Sequence, residues 1–257
     1  MAAQGLYVYG VVRASHPLPP GRTGVGADPA PVRTVRAGEL AAVVSDAPPG
    51  LRAKRRDLLA HQELALALAA DGPVLPMRFG MIAADEESVR GQLTASRSAY
   101  LAALDRLDGR IEMNLKALPV QSGLPALVRE NPEVARARAA ARRSPGYEAS
   151  VRLGEAVARG LTGRAAAASA SVVAELSAMA VERVAGPEVR GCVLNVSFLL
   201  DRGDQERFRA VVERFAADHH DHVELRLTGP LPCYSFVDPA AGTARQDTEP
   251  VPVRSGA

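Results

Sequence analysis

Leu227-Thr228-Gly229-Pro230-Leu231-Pro232-Cys233-Tyr234-Ser235-Phe236-Val237 carries an extended run into two prolines and out again into closely spaced aromatics. Each proline fixes its own φ and drives the residue before it toward extended geometry, so Gly229 and Leu231 are set as turn or strand-edge positions. Just upstream, Val223, Leu225 and Leu227 alternate with Glu224, Arg226 and Thr228, the period of a half-exposed strand. The prolines therefore interrupt a strand, and Tyr234 and Phe236, two apart, are expected on one side of a further extended segment.

Outward from this stretch the pattern is mixed α and β. Asp204 opens a helix with Phe208, Val211, Val212 and Phe215 at core spacing. Val189 to Leu200 reads as a strand with Cys192, Leu194, Val196 and Phe198 on one face. Before it, one long helix is expected from Tyr147 to about Val184, closed by Gly186-Pro187. Its four-and-three seam runs through Tyr147, Val151, Gly154, Ala158, Leu161, Ala165, Ala168, Val172, Glu175 and Met179. The seam is built mostly of small residues, so this helix either packs closely on its own domain, the favoured reading, or is kept for a partner. Asn131-Pro132-Glu133 has the cap-then-proline pattern of a helix start, and Pro119 to Pro125 reads as a hinge.

The N-terminal half opens with a strand, Leu6 to Val12, and a hairpin of Val32 to Arg36 with Leu40 to Ser45. A helix over about 54–70 places Leu58, His61, Leu64, Ala65 and Leu68 on its apolar stripe, and Asp71-Gly72-Pro73 stops it. Val74 to Phe79 is a strand-like edge broken by Pro76. A second helix is expected over about 85–107, then an alternating strand from Ile111 to Leu118. Strands split by two helices, with one polar strand face, predict an open α+β sandwich in which both helices cover the same side. The expected division is an N-terminal α+β domain over 1–119, a linker over 120–131, a C-terminal domain over 132–238 and a disordered tail over 239–257.

Two segments resemble one known family. Gly229 to Val237 is similar to the Gly-Pro-Trp-Pro-Pro-Tyr-Ser-Phe-Val signature of the gas vesicle GvpL/GvpF family, with Leu231 in place of Trp and Cys233 in place of the later Pro. Pro73-Val74-Leu75-Pro76-Met77-Arg78-Phe79-Gly80 resembles its Pro-Val-Leu-Pro-Leu-Arg-Phe-Gly. Leu6 to Val12 and Ser144-Pro145-Gly146-Tyr147 are similar too, whereas Ile111 to Lys116 stands where relatives usually show Glu-Trp-Gly-Val-Lys. The resemblance implies α+β domains that are both modified ferredoxin-like sandwiches, the second with a long, coiled-coil-like helical extension. It also implies a non-enzymatic accessory protein of gas vesicle assembly, with the hydrophobic shell subunit and other gas vesicle accessory proteins as partners. Leu75, Arg78, Phe79, Leu231, Tyr234 and Phe236, within the matched segments, are the candidate partner-binding residues.

Composition narrows the alternatives. Net charge is +2 and 47% of the 257 residues are hydrophobic, the balance of a globular chain rather than a disordered one. No apolar run approaches the roughly 20 residues needed to span a bilayer, and Met1 to Gly5 lacks a secretory layout, so a cytoplasmic protein without a membrane partner is expected. The basic runs at 52–56 and 136–143 lack interleaved aromatics and read as solvated helix faces, so no nucleic-acid partner is expected. Cys192 and Cys233 read as buried, reduced thiols.

The glycines at 24 and 26 do not lead into a helix, as a dinucleotide loop must, and no P-loop, zincin motif or nucleophile elbow occurs. No catalytic residue, cofactor or metal is therefore expected. His61 could be a ligand or base but reads as a core histidine, and Arg78 is expected to pair with a carboxylate rather than face a partner. His219-His220-Asp221-His222 is expected in a turn after a helix ending near Asp218. The rival to a binding protein is a metal- or small-molecule enzyme using the inter-domain cleft through His61, Arg78, His219 and His222.

Overall fold

The computed structural model describes residues 5–237, so the expected tail over 239–257 lies outside the described residues. Strand β1 (Leu6–Arg13) is the axis of the first antiparallel sheet. It pairs with β3 (Leu40–Asp46) on one side and with the short β4 (Leu75–Pro76) and β5 (Ile82–Ala83) on the other. Strand β2 (Arg33–Ala37) forms the expected hairpin with β3 and is the far edge.

A bulge between Val8 and Gly10 resets the alternation of β1. As a result Tyr7, Tyr9 and Val12 belong to one face, and Leu6, Val8 and Val11 to the other. Helix α1 (Arg55–Asp71) covers the tyrosine face with His61, Leu64 and Leu68. Helices α2 (Glu86–Ala95) and α3 (Arg97–Leu107) cover the opposite face with Val89, Leu93, Tyr100 and Leu104. The first sheet is thus the middle of three layers, and the expectation that both helices lie on one side is overturned. The single helix expected over 85–107 is broken at Ser96, which leaves α2 and α3 free to turn separately onto the sheet. In α1, Leu58 is exposed and Asp57 is buried in its stead, accepting from the Gly26 backbone N–H.

The second sheet takes its central strand from the N-terminal half. Strand β6 (Arg110–Pro119) pairs with β8 (Leu194–Asp201) on one side and β9 (Val223–Leu231) on the other. Strand β7 (Glu182–Ala185) lies outside β8, giving the order β7-β8-β6-β9. Expected in the first sheet, β6 belongs to the second: its alternation marks a strand but does not specify its neighbours. Residues 182–185, expected at the end of the long helix, are instead this edge strand. Gly229 has φ 147°, and a Cβ there would run into Met113 Sδ, so the bulge in β9 opposite Met113 needs glycine.

Helices α6 (Tyr147–Ser177) and α7 (Gln205–Asp218) cover one face of this sheet. Phe198 of β8 meets Phe208 of α7 edge to face at 5.3 Å, and Val172 and Leu176 of α6 pack into the same core. Helix α6 is about 46 Å long at 1.5 Å per residue, more than the sheet needs. Its N-terminal half packs on α4 (Leu124–Glu130) and α5 (Pro132–Arg143) around Leu127, Val134 and Ala156. The expected linker therefore contains a helix, and the expected seam is mis-phased before Leu161, with Tyr147 86% exposed and Val151 exposed.

The two halves share a core. Leu199 of β8 and Cys233 and Phe236 beyond β9 are buried among Leu6, Val11, Tyr100 and Leu107. Truncating Leu199 should leave a cavity at this junction. Leu199→Ala is expected to cost about 2–5 kcal/mol in urea unfolding, and a loss below about 1 kcal/mol would show that the halves do not depend on this contact.

Candidate functional site

The two matched segments converge on one imidazole. Helix α1 presents His61 toward the tyrosines of β1, and its Nε2 lies 2.9 Å from the Met77 carbonyl, which can only accept. The proton is therefore on Nε2, and Nδ1 accepts from the Tyr7 hydroxyl at 2.9 Å. Tyr7 Oη in turn accepts from the Gly80 backbone N–H at 3.1 Å. Around the imidazole stand Tyr9 at 5.7 Å, Phe79 at 5.8 Å and Tyr234 at 6.4 Å between ring centres. The core-histidine reading holds: every polar atom of His61 is used in fixing Met77 to Gly80 against the sheet.

The closing segment is held by a second polar anchor. Glu112 of β6 is 3% exposed; its carboxylate accepts from the Ser235 backbone N–H at 2.9 Å and the Ser235 hydroxyl at 2.7 Å. Ser197 Oγ lies 3.2 Å from Ser235 Oγ, and Arg106 of α3 donates to the Phe236 carbonyl and, at 3.0 Å, to Glu182. Tyr234 to Phe236 are wound into a 3₁₀ turn, not the expected strand. With about three residues per turn, positions two apart diverge. Tyr234 faces His61 while Phe236 enters the core beneath α3.

Burial, reinforced by the Glu112 charge, pushes the Cys233 thiol and the Tyr234 phenol each up to about 12, so both stay protonated. Burial likewise raises Tyr7 and Tyr9 and lowers His61 and His16.

The candidate partner-binding residues thus separate. Leu75 and Phe236 are fully packed, Phe79 and Tyr234 are half-buried around His61, and Leu231 lines a cleft. Arg78 is exposed and, among the described residues, has no ion pair, so the expected carboxylate partner is missing. Cys192 is only half-buried, against expectation. The cleft, about 380 Å³, runs along the seam between the halves, between the end of α1, the α3–β6 turn and Pro230 to Cys233. Arg202 bridges it by donating to the Ala69 carbonyl at 2.7 Å.

None of His61, Arg78, His219 and His222 lines that cleft. Helix α7 ends at Asp218, as the sequence implies, and His219 stacks on Phe215 at 3.9 Å with Nδ1 on the Phe215 carbonyl. Among the described residues no group of three or more His, Cys, Asp or Glu side chains is arranged to hold a metal, and no helix is long and apolar enough to cross a membrane. Sequence reasoning missed Glu112, Ser235, Arg106 and the β1 tyrosines. The signals available were the shared parity of Tyr7 and Tyr9 and the place of Ser235 inside the matched closing segment.

The profile of the gas vesicle synthesis protein GvpL/GvpF family matches residues 5–238. The chain belongs to the GvpL/GvpF family. It is 41% identical to gas vesicle protein F of Streptomyces sp. (strain CB03234), over 90% of this chain and 99% of that protein. It is 31% identical to gas vesicle protein L of the same strain, over 94% of each. Its fold is similar to the crystal structure of GvpF from Anabaena sp. PCC7120, with a TM-score of 0.73 and 23% identity over 91% of this chain and 98% of that one. GvpF from Microcystis aeruginosa gives a TM-score of 0.70 at 23% identity, over 91% and 99%. The two segments that resemble GvpL/GvpF signatures thus meet, in this chain, around His61 and Glu112.

Two consequences are measurable. The buried His61 ring binds a proton less readily than an unfolded histidine, whose pKa is about 6.5. Its contribution to stability is therefore complete above that value and lost as pH falls below it. Unfolding at a series of pH values from about 7 to about 5 should show declining stability, and His61→Gln should flatten the slope by up to about 1.4 kcal/mol per pH unit. An unchanged slope would mean the ring protonates freely in place. Removing the second anchor, Glu112→Ala, should cost about 1.5–3 kcal/mol in denaturant unfolding, and a neutral result would show that Ser235 is held by other contacts.

Proposed function

We propose that this chain is a non-catalytic accessory protein of gas vesicle assembly that binds the hydrophobic shell subunit and other gas vesicle proteins, and that it works at the gas vesicle. Membership of the GvpL/GvpF family supports the setting, as do its gas vesicle relatives. The observation that carries the binding mode is the outer edge of β9. This nine-residue strand pairs with β6 on one side, and among the described residues no strand pairs with the other. An open edge offers unpaired backbone donors and acceptors to an incoming strand. Its C-terminal end runs into the cleft wall at Pro230 to Cys233, where apolar side chains can be received.

We read the second half as a modified ferredoxin-like unit. Its strands β6, β7, β8 and β9 follow one another with helices after the first and third, and the order β7-β8-β6-β9 supports that reading. The pairing of β6 favours a domain division near Gly109 rather than at 119. The first half is a looser variant, since no helix separates β1, β2 and β3. Arg78, exposed and unpaired, remains a proposed contact, with Leu231 at the cleft; Leu75 and Phe236 act from within the fold.

Co-purification from vesicle-forming cells tests the reading. The tagged chain should recover the shell subunit, and a Thr228→Lys, Leu231→Lys variant, which charges the open edge and the cleft wall, should recover it about fivefold less. Absence of the shell subunit from the native pull-down, or undiminished recovery by the variant, would overturn the proposed mode.

A further inference from the structure

The helical extension carries a charge distribution that its own packing does not use. Residues 124–143 contain five arginines and two glutamates. Both glutamates are taken up by α6: Glu130 pairs with Arg164, and Glu133 pairs with Arg159 at 2.6 Å. Arg129, Arg136, Arg138, Arg142 and Arg143 are all exposed, and among the described residues none has an ion pair or hydrogen-bonded side-chain partner. Favourable interaction with the helix dipole accounts for Arg142 and Arg143, which lie in the last turn of α5. It does not account for Arg136 and Arg138 in mid-helix, and Arg138 sits one turn from Arg142, where like charges repel.

These guanidiniums border a groove. Helix α5 packs on α6 and α4 through Val134 and Ala137, which leaves a separate stripe of Ala135, Arg138, Ala139 and Arg142 facing away from that core. With Val128 of α4 this stripe lines a shallow groove of about 380 Å³. Its floor is small and apolar and its rim is cationic. We infer that the α4–α5 groove is a docking surface for an acidic amphipathic helix of a partner protein, with aliphatic side chains on Val128, Ala135 and Ala139 and carboxylates on Arg138 and Arg142.

The charge complement selects an acidic partner, and the apolar floor selects side chains over phosphates. Nucleic acid would need an extended positive field or stacking rings, whereas the whole chain is only +2 and residues 124–143 contain no aromatic. A helix laid in the groove gives the required periodicity, since the lining residues themselves recur at three and four. This surface lies on the helical extension, apart from the β9 edge, so the two readings stand or fall separately.

The test is an anisotropy titration of the full chain with a labelled synthetic helical peptide bearing Glu on both sides of a Leu stripe. Measurable binding is expected, weakening about tenfold between about 0.05 and 0.3 M salt as exposed pairs are screened. An Arg138→Ala, Arg142→Ala variant should bind about tenfold more weakly. Arg52→Ala with Arg55→Ala removes the same charge elsewhere and should change affinity by less than about twofold. Alanine is well tolerated in exposed helix, so an unchanged melting curve should accompany the loss. Failure of the peptide to bind, undiminished binding by the Arg138/Arg142 variant, or equal binding of a scrambled peptide or of a DNA duplex of the same charge would each overturn the inference.

Discussion

A buried carboxylate decides how the halves of this molecule meet. Glu112 projects from the central strand of the second sheet, away from the α6–α7 face, and is satisfied by the backbone and hydroxyl of Ser235. Those bonds pull the residues after β9 back over their own sheet, so that Phe236 enters the core of the first half and Tyr234 reaches His61. Hydrogen bonds to a charged group contribute about 1.5–3 kcal/mol. The larger effect is desolvation, since without Ser235 the buried carboxylate would be left unsatisfied beside Leu199, its neighbour across the sheet. The aromatic knot around His61 completes the same junction from the other side, through Met77 and Gly80.

Much of the fold was legible where side chains contrast. The stripe Phe208, Val211, Val212, Phe215 and the hairpin around Gly38 follow from period and turn chemistry, and both are present. In α6 the apolar face could not be phased, because alanine occurs on every side of the helix and supplies little burial to choose among registers. The break at Ser96 carries no proline or glycine, so no local signal marks it. Strand β6 shows the general limit: alternation reveals which of its residues are inward, but not which sheet receives them, because strand pairing is non-local.

The candidate site was legible as sequence and opaque as geometry. Both matched segments were identified, yet their residues were expected to face a partner, and several of them face each other. Tyr234 and Phe236 illustrate the reason. Spacing of two implies one side only if the backbone is extended, and a 3₁₀ turn held by Glu112 replaces the strand. Nothing local signals that turn, because its anchor is more than a hundred residues away in sequence.

In the structure, the hydrogen bonds of the two matched segments fix their position at the junction of the halves. Holding the C-terminal segment against the first half fixes where β9 ends, and so aligns its open edge with the cleft at Leu231. A strand edge alone binds indiscriminately, because backbone groups carry no sequence information; a fixed apolar recess at its end adds selection by side chain. The helical extension, stiffened by its own small core around Leu127 and Val134, stands apart from that alignment. The open edge of β9 and the cationic groove thus lie on separate elements of the chain, the arrangement that the two proposed contacts require.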